Sequence, residues 1–168
     1  HDGYKMWRDE AIVKKYRWTT YDRARAEALL DEAGFVKGAD GQRRGPNGKV
    51  LELEIGTVSG WSDWVRAAQI ISRSLQAIGI DATMSTYDFS AWFDRLQRAE
   101  FDLSLGWTVE GASPYAFYRN LMGSGTRKPA GEAAASNWHR FSSVRADELL
   151  KSFERTTDAA EQKRMASE

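Results

Sequence analysis

Between Leu51 and Trp107 the chain alternates two hydrophobic periods, and this alternation restricts the fold more than any other feature. Leu51, Leu53 and Ile55 alternate with Glu52 and Glu54, which predicts a strand with one wet face running on into Thr57-Val58-Ser59-Gly60. Trp64, Val65, Ala68, Ile71, Leu75 and Ile78 then recur at three- and four-residue spacing, with Ser62 as the N-cap and Gly79 as the stop of a long helix. Ile80, Ala82, Met84 and Thr86 return to a period of two. Asp88 or Ser90 caps a helix carrying Trp92, Phe93 and Leu96, and Phe101, Leu103, Leu105 and Trp107 alternate as a third strand. Helical crossovers join parallel strands, so residues 22–110 are expected to form an α/β core: an open sheet of parallel strand-helix-strand units flanked by helices.

The flanking segments carry weaker signals. Residues 1–20 mix charge with Tyr4, Trp7, Tyr16 and Trp18 without a sustained period, which predicts an opening segment with at most one short helix. Asp22 opens a helix in which Ala26, Leu29, Leu30 and Ala33 share a face and Gly34 is the terminator. Turn signals at Asp40-Gly41 and Gly45-Pro46-Asn47-Gly48 bracket the polar stretch Gln42, Arg43, Arg44 and predict a small exposed hairpin. Residues 111–142 read as loop-rich, with a short helix starting near Pro114. Residues 143–168 read as C-terminal helices: Ser143 caps one carrying Val144, Leu149, Leu150 and Phe153, and Asp158 with Glu161 opens another that the end of the sequence interrupts, as a truncation would.

Composition removes several function classes. With 24 Lys plus Arg against 24 Asp plus Glu, the net charge is zero and both signs are spread along the chain, which argues against a nucleic-acid footprint or a polybasic membrane anchor. The chain contains no Cys, so disulfides and thiolate metal sites are excluded. No apolar run reaches the length of a spanning helix, and HDGYKMWRDE lacks the basic-then-apolar pattern of a signal peptide. The 168 residues suffice for one domain with a sizeable core. Seven Trp is the abnormal figure.

The chemical motifs are mostly accounted for by ordinary structure. His1 and His139 lack a second ligand at metal-binding spacing, and no metal site is expected. GSGTRK at Gly123–Lys128 departs from the phosphate-loop pattern and reads as a flexible loop; GTVSG at Gly56–Gly60 misses the nucleophile elbow, although Ser59 lies between a strand and a helix. Asp63, Asp88, Asp102 and Glu110 fall near strand ends, where a carboxylate pair can serve a glycosidase or, more simply, cap helices. Trp64 and Trp92 lie on apolar helix faces and belong to the core. Trp61 and Trp107 lie at or just past strand carboxyl ends, where open α/β sheets place ligands, and Trp138 sits in a polar loop. For these three, ligand contact and core packing both stand; a flat indole stacks on a pyranose face and its N–H reaches a hydroxyl.

Taken together, YDRARAEALLDEAGF, DGQRRGPNGKVLELEI, the helix ending LQAIGID, YDFSAWFDRLQRAEFDLSLGW and the tail NWHRFSSVRADELL resemble the extracellular solute-binding proteins of peptide and oligosaccharide ABC importers. GWSDW and SPYAFYRNL are more similar to the branch that binds cello- and related gluco-oligosaccharides than to the peptide-binding branch. The resemblance implies a non-enzymatic, periplasmic or extracellular binding protein of two α/β lobes, type II-like. Such lobes close over a small solute, without a cofactor, and present it to a membrane permease. The chain would then be most of the C-terminal lobe, a single unit over residues 1–168 without its N-terminal partner lobe. Ser59, Trp61, Trp107 and Glu110 match the cleft-facing part of that lobe, with Tyr115, Asn120 and Trp138 added from the loop region. A peptide cargo, a glycosidase-like enzyme and an interaction module whose aromatics meet a partner remain the alternatives.

Overall fold

The computed structural model describes residues 2–16 and 19–168, so His1 and Trp18 lie outside the described residues. The opening segment holds a 3-10 helix at Asp2–Trp7 followed by α1 (Glu10–Lys15), one helical element more than expected. The Asp9 carboxylate accepts the N–H groups of Ala11 and Ile12 and so starts α1. α2 (Arg23–Glu32) begins on Asp22, whose side chain accepts from Arg25 N, and the chain leaves it through Gly34 at φ +84°. Of the four apolar residues expected on one face of α2, Ala26 and Leu30 are half-buried against the core, whereas Leu29 and Ala33 are instead exposed.

The hairpin is present. β1 (Val36–Lys37) pairs antiparallel with β2 (Arg43–Arg44), and the exposed Asp40 carboxylate receives both terminal nitrogens of Arg44, at 3.0 and 2.7 Å. That hydrogen-bonded partner lowers the Asp40 pKa to about 2. Arg43, however, is not the exposed hairpin residue its surroundings suggest: it is 2% exposed. Its Nε donates to Ile78 O at 2.7 Å, Nη1 to Asp31 Oδ1 and Phe35 O at 2.5 Å each, and Nη2 to Glu27 O at 3.3 Å. Its backbone N–H donates to Gly79 O at 2.7 Å and its carbonyl accepts from Leu51 N at 2.8 Å.

After the hairpin the expected strand-helix order follows: β3 (Glu52–Val58), α3 (Ser62–Ala77), β4 (Asp81–Tyr87), α4 (Phe89–Arg98) and β5 (Leu103–Ser104). The three strands form one parallel sheet in the order β4-β3-β5. β3 is therefore central, which corrects the expectation of one wet face. Glu52 is exposed and Glu54 half-exposed, but Ile55, Gly56, Thr57 and Val58 are all buried, as expected of a parallel strand covered on both faces. Ile78, Ile80 and Ala82 form a core with Ala26, Leu30, Leu51, Leu53 and Leu75 packed against it. Gly79 turns the chain from α3 into β4 at φ +92°, and a Cβ there would lie 2.7 Å from Gly41 O. The third strand is shorter than its alternation implies: only Leu103 and Ser104 pair, and Leu105 N adds a last bond to Gly56 O at 3.1 Å.

Beyond the sheet come α5 (Pro114–Met122), a 3-10 turn at Ser124–Thr126, α6 (Val144–Arg155) and α7 (Ala159–Ser167). Pro114 stands at the start of α5, where its missing N–H costs nothing. Ser143 caps α6 through Ala146 N, and Asp158 caps α7 through Ala160 N and Glu161 N, as their positions predict. The Glu168 carboxylate binds Arg145 and Arg164. The chain divides into two compact units. One holds the described residues up to Thr19 with Gln97–Glu100 and Trp107–Glu168; the other holds Thr20–Leu96 with Phe101–Gly106.

Replacing Arg43 by Met keeps an apolar stem but leaves the Ile78, Phe35 and Glu27 carbonyls without this donor. We expect a loss of about 3 kcal/mol, from one buried and two part-buried acceptors each costing about 1 kcal/mol. Urea unfolding checks it; a change below about 1 kcal/mol, the worth of one ordinary hydrogen bond, would contradict the role assigned to Arg43.

Candidate functional site

In the sheet-containing unit, β3 and β4 end level, with Val58 paired to Tyr87. Ser59 continues past the ladder by donating its N–H to Tyr87 O at 2.7 Å and is exposed, and Gly60 turns the chain at φ +82°. Trp61 follows at the N-cap position of α3, its carbonyl accepting from Val65 N at 2.9 Å. This corrects the expectation for Ser62, which is already the first helical residue; no side chain caps this helix end, and Asp63 in the first turn complements its positive pole.

Trp61 is 38% exposed and belongs to a cluster of five rings. It meets the edge of Trp64 at 4.7 Å and lies 5.9 Å from Phe89 at an interplanar angle of 33°. Trp64 meets Trp92 edge-on at 5.7 Å, and Phe89 stacks on Phe93 at 5.8 Å and 10°. The base is Trp92, 2% exposed, whose Nε1 donates to Ser104 Oγ at 3.0 Å. Trp92 is thus core as its helical position predicts, and Trp64 is a half-buried bridge to Trp61. Asp88 caps α4 through Ala91 N at 3.0 Å, which holds Phe89 at the first position of the helix.

In the other unit Trp107 lies three residues beyond β5 and is 41% exposed. The fold brings it to Trp138, edge to face at 6.3 Å and 87°, and Trp138 Nε1 donates to Ala134 O at 3.2 Å. Two residues that the sequence did not single out hold this loop. Asn137, 1% exposed and at φ +52°, donates Nδ2 to Gly123 O and Phe141 O, accepts from Phe141 N, and donates its own N–H to Asn120 O. Arg140 donates Nη2 to Gln97 O and Glu132 O at 2.7 Å each. Asn tolerates the left-handed region, but Asn137 stands in a polar stretch where nothing distinguishes it.

The remaining candidates are scattered. Glu110 is exposed. Asn120 supplies its backbone carbonyl to Asn137. Tyr115 stacks on Phe153 at 5.4 Å and 15° and lines a largely apolar groove of about 650 Å³ with Trp7, Ile12, Tyr118 and Leu150. Burial first, and a hydrogen bond to Glu154 second, hold the Tyr115 phenol above its ordinary pKa. Trp7 packs on Phe153 from the opposite end of the sequence, at 5.8 Å.

The motifs set aside in the sequence have structural roles here. The Gly123–Lys128 segment is tied down rather than flexible: Ser124 donates N–H and Oγ to Asp147 at 3.0 and 2.5 Å, and the Thr126 and Ser136 hydroxyls lie 2.6 Å apart. Asp102 accepts Glu54 N at 2.9 Å. His139 is exposed, its ring 6.4 Å from that of Phe141. Among the described residues no group of three or more His, Cys, Asp or Glu could hold a metal ion, and no helix is long and apolar enough to cross a membrane.

A parallel sheet with exposed rings beyond its strand ends, flanked by helices, is the architecture expected of a solute-binding lobe. Residues 4–129 match the family model described as bacterial extracellular solute-binding proteins, family 5 Middle. The chain belongs to that family, whose members are binding proteins for transport and not enzymes, which removes the glycosidase alternative. Among solved structures it is similar to the mannohexaose-bound periplasmic oligopeptide-binding protein of an oligopeptide ABC transporter from Thermotoga maritima. The identity is 28% and the TM-score 0.90, over 98% of this chain and 31% of that one. DppA from Helicobacter pylori in complex with the peptide STSA shares the fold at 24% identity and TM-score 0.70, covering 88% of this chain and 26% of that one. MelB from Agrobacterium fabrum in complex with stachyose does so at 16% and 0.73, covering 89% and 24%. The chain thus spans less than a third of the length of these two-lobe proteins.

The Ser124–Asp147 link gives a pH-dependent prediction. Hydrogen bonds from Ser124, Oγ first and N–H second, hold the Asp147 carboxyl below its ordinary pKa. A depressed folded-state pKa stabilises above the unfolded value and ceases to do so as pH falls through the folded one. Asp147→Asn is expected to cost about 1–2 kcal/mol at neutral pH. The gap to the native protein should narrow as pH drops below the ordinary carboxylate range, read from urea midpoints across that range.

Proposed function

We propose that this chain is part of the solute-binding component of an ABC importer, one lobe of a two-lobe periplasmic or extracellular protein. It captures an oligosaccharide of the gluco- or cello- type and presents it to a membrane permease. The observation that carries this reading is Trp61, half exposed on a five-ring cluster just beyond the carboxyl end of the central parallel strand. A ring in that position offers a rigid apolar face to a pyranose, and the exposed Ser59 beside it offers a hydroxyl. Trp107, backed by Trp138, offers a second indole in the other unit, and Glu110, Tyr115 and Asn120 are the further polar candidates. The mannohexaose complex of the Thermotoga relative supports a glycan cargo, and zero net charge suits a neutral one.

A peptide needs fixed ionic partners for its charged termini, whereas a sugar needs stacking platforms, so mutation separates the two cargoes. In the full-length protein, Trp61→Ala and Trp107→Ala are each expected to weaken binding of cellotetraose or mannohexaose by about tenfold, the upper end of what an aromatic contact adds beyond burial. Calorimetry reads this directly. Unchanged glycan affinity in both variants, or binding of a tetrapeptide instead of glycans, would contradict the stacking proposal. The isolated 168 residues, with only part of the ligand-burying surface, are expected to show no micromolar glycan binding in the same instrument.

A further inference from the structure

We infer that Phe89 joins Trp61 in a two-ring shelf that receives two consecutive sugar units of the bound oligosaccharide. This rests on the oligosaccharide reading above and adds a residue to it. The level ending of β3 and β4 places the two following segments side by side: Trp61 stands three residues past Val58 and Phe89 two past Tyr87. Their ring centroids are 5.9 Å apart, a separation on the scale of one hexose, and their planes differ by 33°.

Several facts argue that this arrangement serves a ligand rather than the core. Phe89 is 44% exposed and Trp61 38% exposed, although both are large apolar rings at helix starts. The positions themselves do not call for aromatics, since α4 is begun by the Asp88 carboxylate and α3 by backbone geometry. Beneath them Trp64, Phe93 and the buried Trp92 hold both rings at a fixed mutual tilt. A single flat sugar face cannot lie parallel to two planes 33° apart; two linked units, turned relative to one another, can each meet one.

The test uses the full-length protein, with cellotetraose and mannohexaose as probes in calorimetry and the ligand-free melting temperature as the measure of folding. Phe89→Leu is expected to weaken the probe that the native protein binds by about tenfold, and Phe89→Tyr, which keeps the ring, to bind within about twofold of the native protein. Should the Leu variant not fold, Phe89→Met, which keeps volume without a ring, carries the same expectation. If Phe89→Leu or Phe89→Met binds as tightly as the native protein while Trp61→Leu is weakened, the shelf is wrong and the oligosaccharide reading stands. If the native protein binds a tetrapeptide and neither glycan, the oligosaccharide reading itself falls and the shelf with it.

Discussion

The guanidinium of Arg43 closes the sheet-containing unit. It stands at the C-terminal end of α3, where the Ile78 carbonyl lacks an intrahelical donor, and beside the last turns of α2; it supplies N–H groups to Ile78, to Phe35 just past α2 and to Glu27 within α2, while pairing with Asp31. A positive charge at two negative helix poles is favourable, and the rigid planar fork of Arg reaches acceptors on several sides, as a Lys ammonium on a flexible stem would not. The hairpin is thereby attached to the loop between α3 and β4, and Gly79 lets the chain pass close enough to the hairpin for it to happen. Around this point Ile78, Ile80, Ala82, Leu30 and Leu53 come together as one core.

What that core holds in place is the carboxyl edge of a parallel sheet. Because β3 is central and covered on both faces over its second half, its end is a stiff support, and Trp61 inherits that stiffness through one short turn at Gly60. Trp92, buried and bonded to Ser104, ties the same ring cluster to β5. The other unit presents its indoles by different means. Trp138 sits on irregular backbone, and Asn137 and Arg140 meet the polar groups that a sheet would otherwise have paired. Both constructions place aromatic faces on backbone that has little freedom to move, which favours binding by reducing the ordering cost.

Much of this was legible in the order of residues. The period changes from 51 to 103 named the strands and helices of the sheet, Asp22, Ser143 and Asp158 were caps where their positions said, Asp88 was the cap of the two offered with Ser90, and Gly34 and Gly79 were stops. Trp92 was core, and Trp61 stood just beyond a strand. Arg43 was not legible: a charged residue in a turn-rich stretch reads as solvated, and only four acceptors brought from distant parts of the chain make its burial favourable. Nor was the double covering of β3, since Glu52 and Glu54 mark a wet face and only its place between β4 and β5 shows that the wet face ends at Glu54.

The sequence by itself determined the local elements, their order, the parallel sense of the sheet and, through resemblance, the family, because periodicity, capping and turn chemistry depend on neighbours a few residues away. Tertiary structure decided which residues share an environment: that Trp61 meets Phe89, that Trp107 meets Trp138, that Tyr115 stacks on Phe153, and that Asn137 rather than Asn120 is the buried amide. Burial and partnership follow from long-range contacts that satisfy each buried polar group and fill each apolar face at the same time. No single stretch of chain carries that information, so a half-exposed ring and a buried guanidinium become distinguishable only once the chain has closed around them.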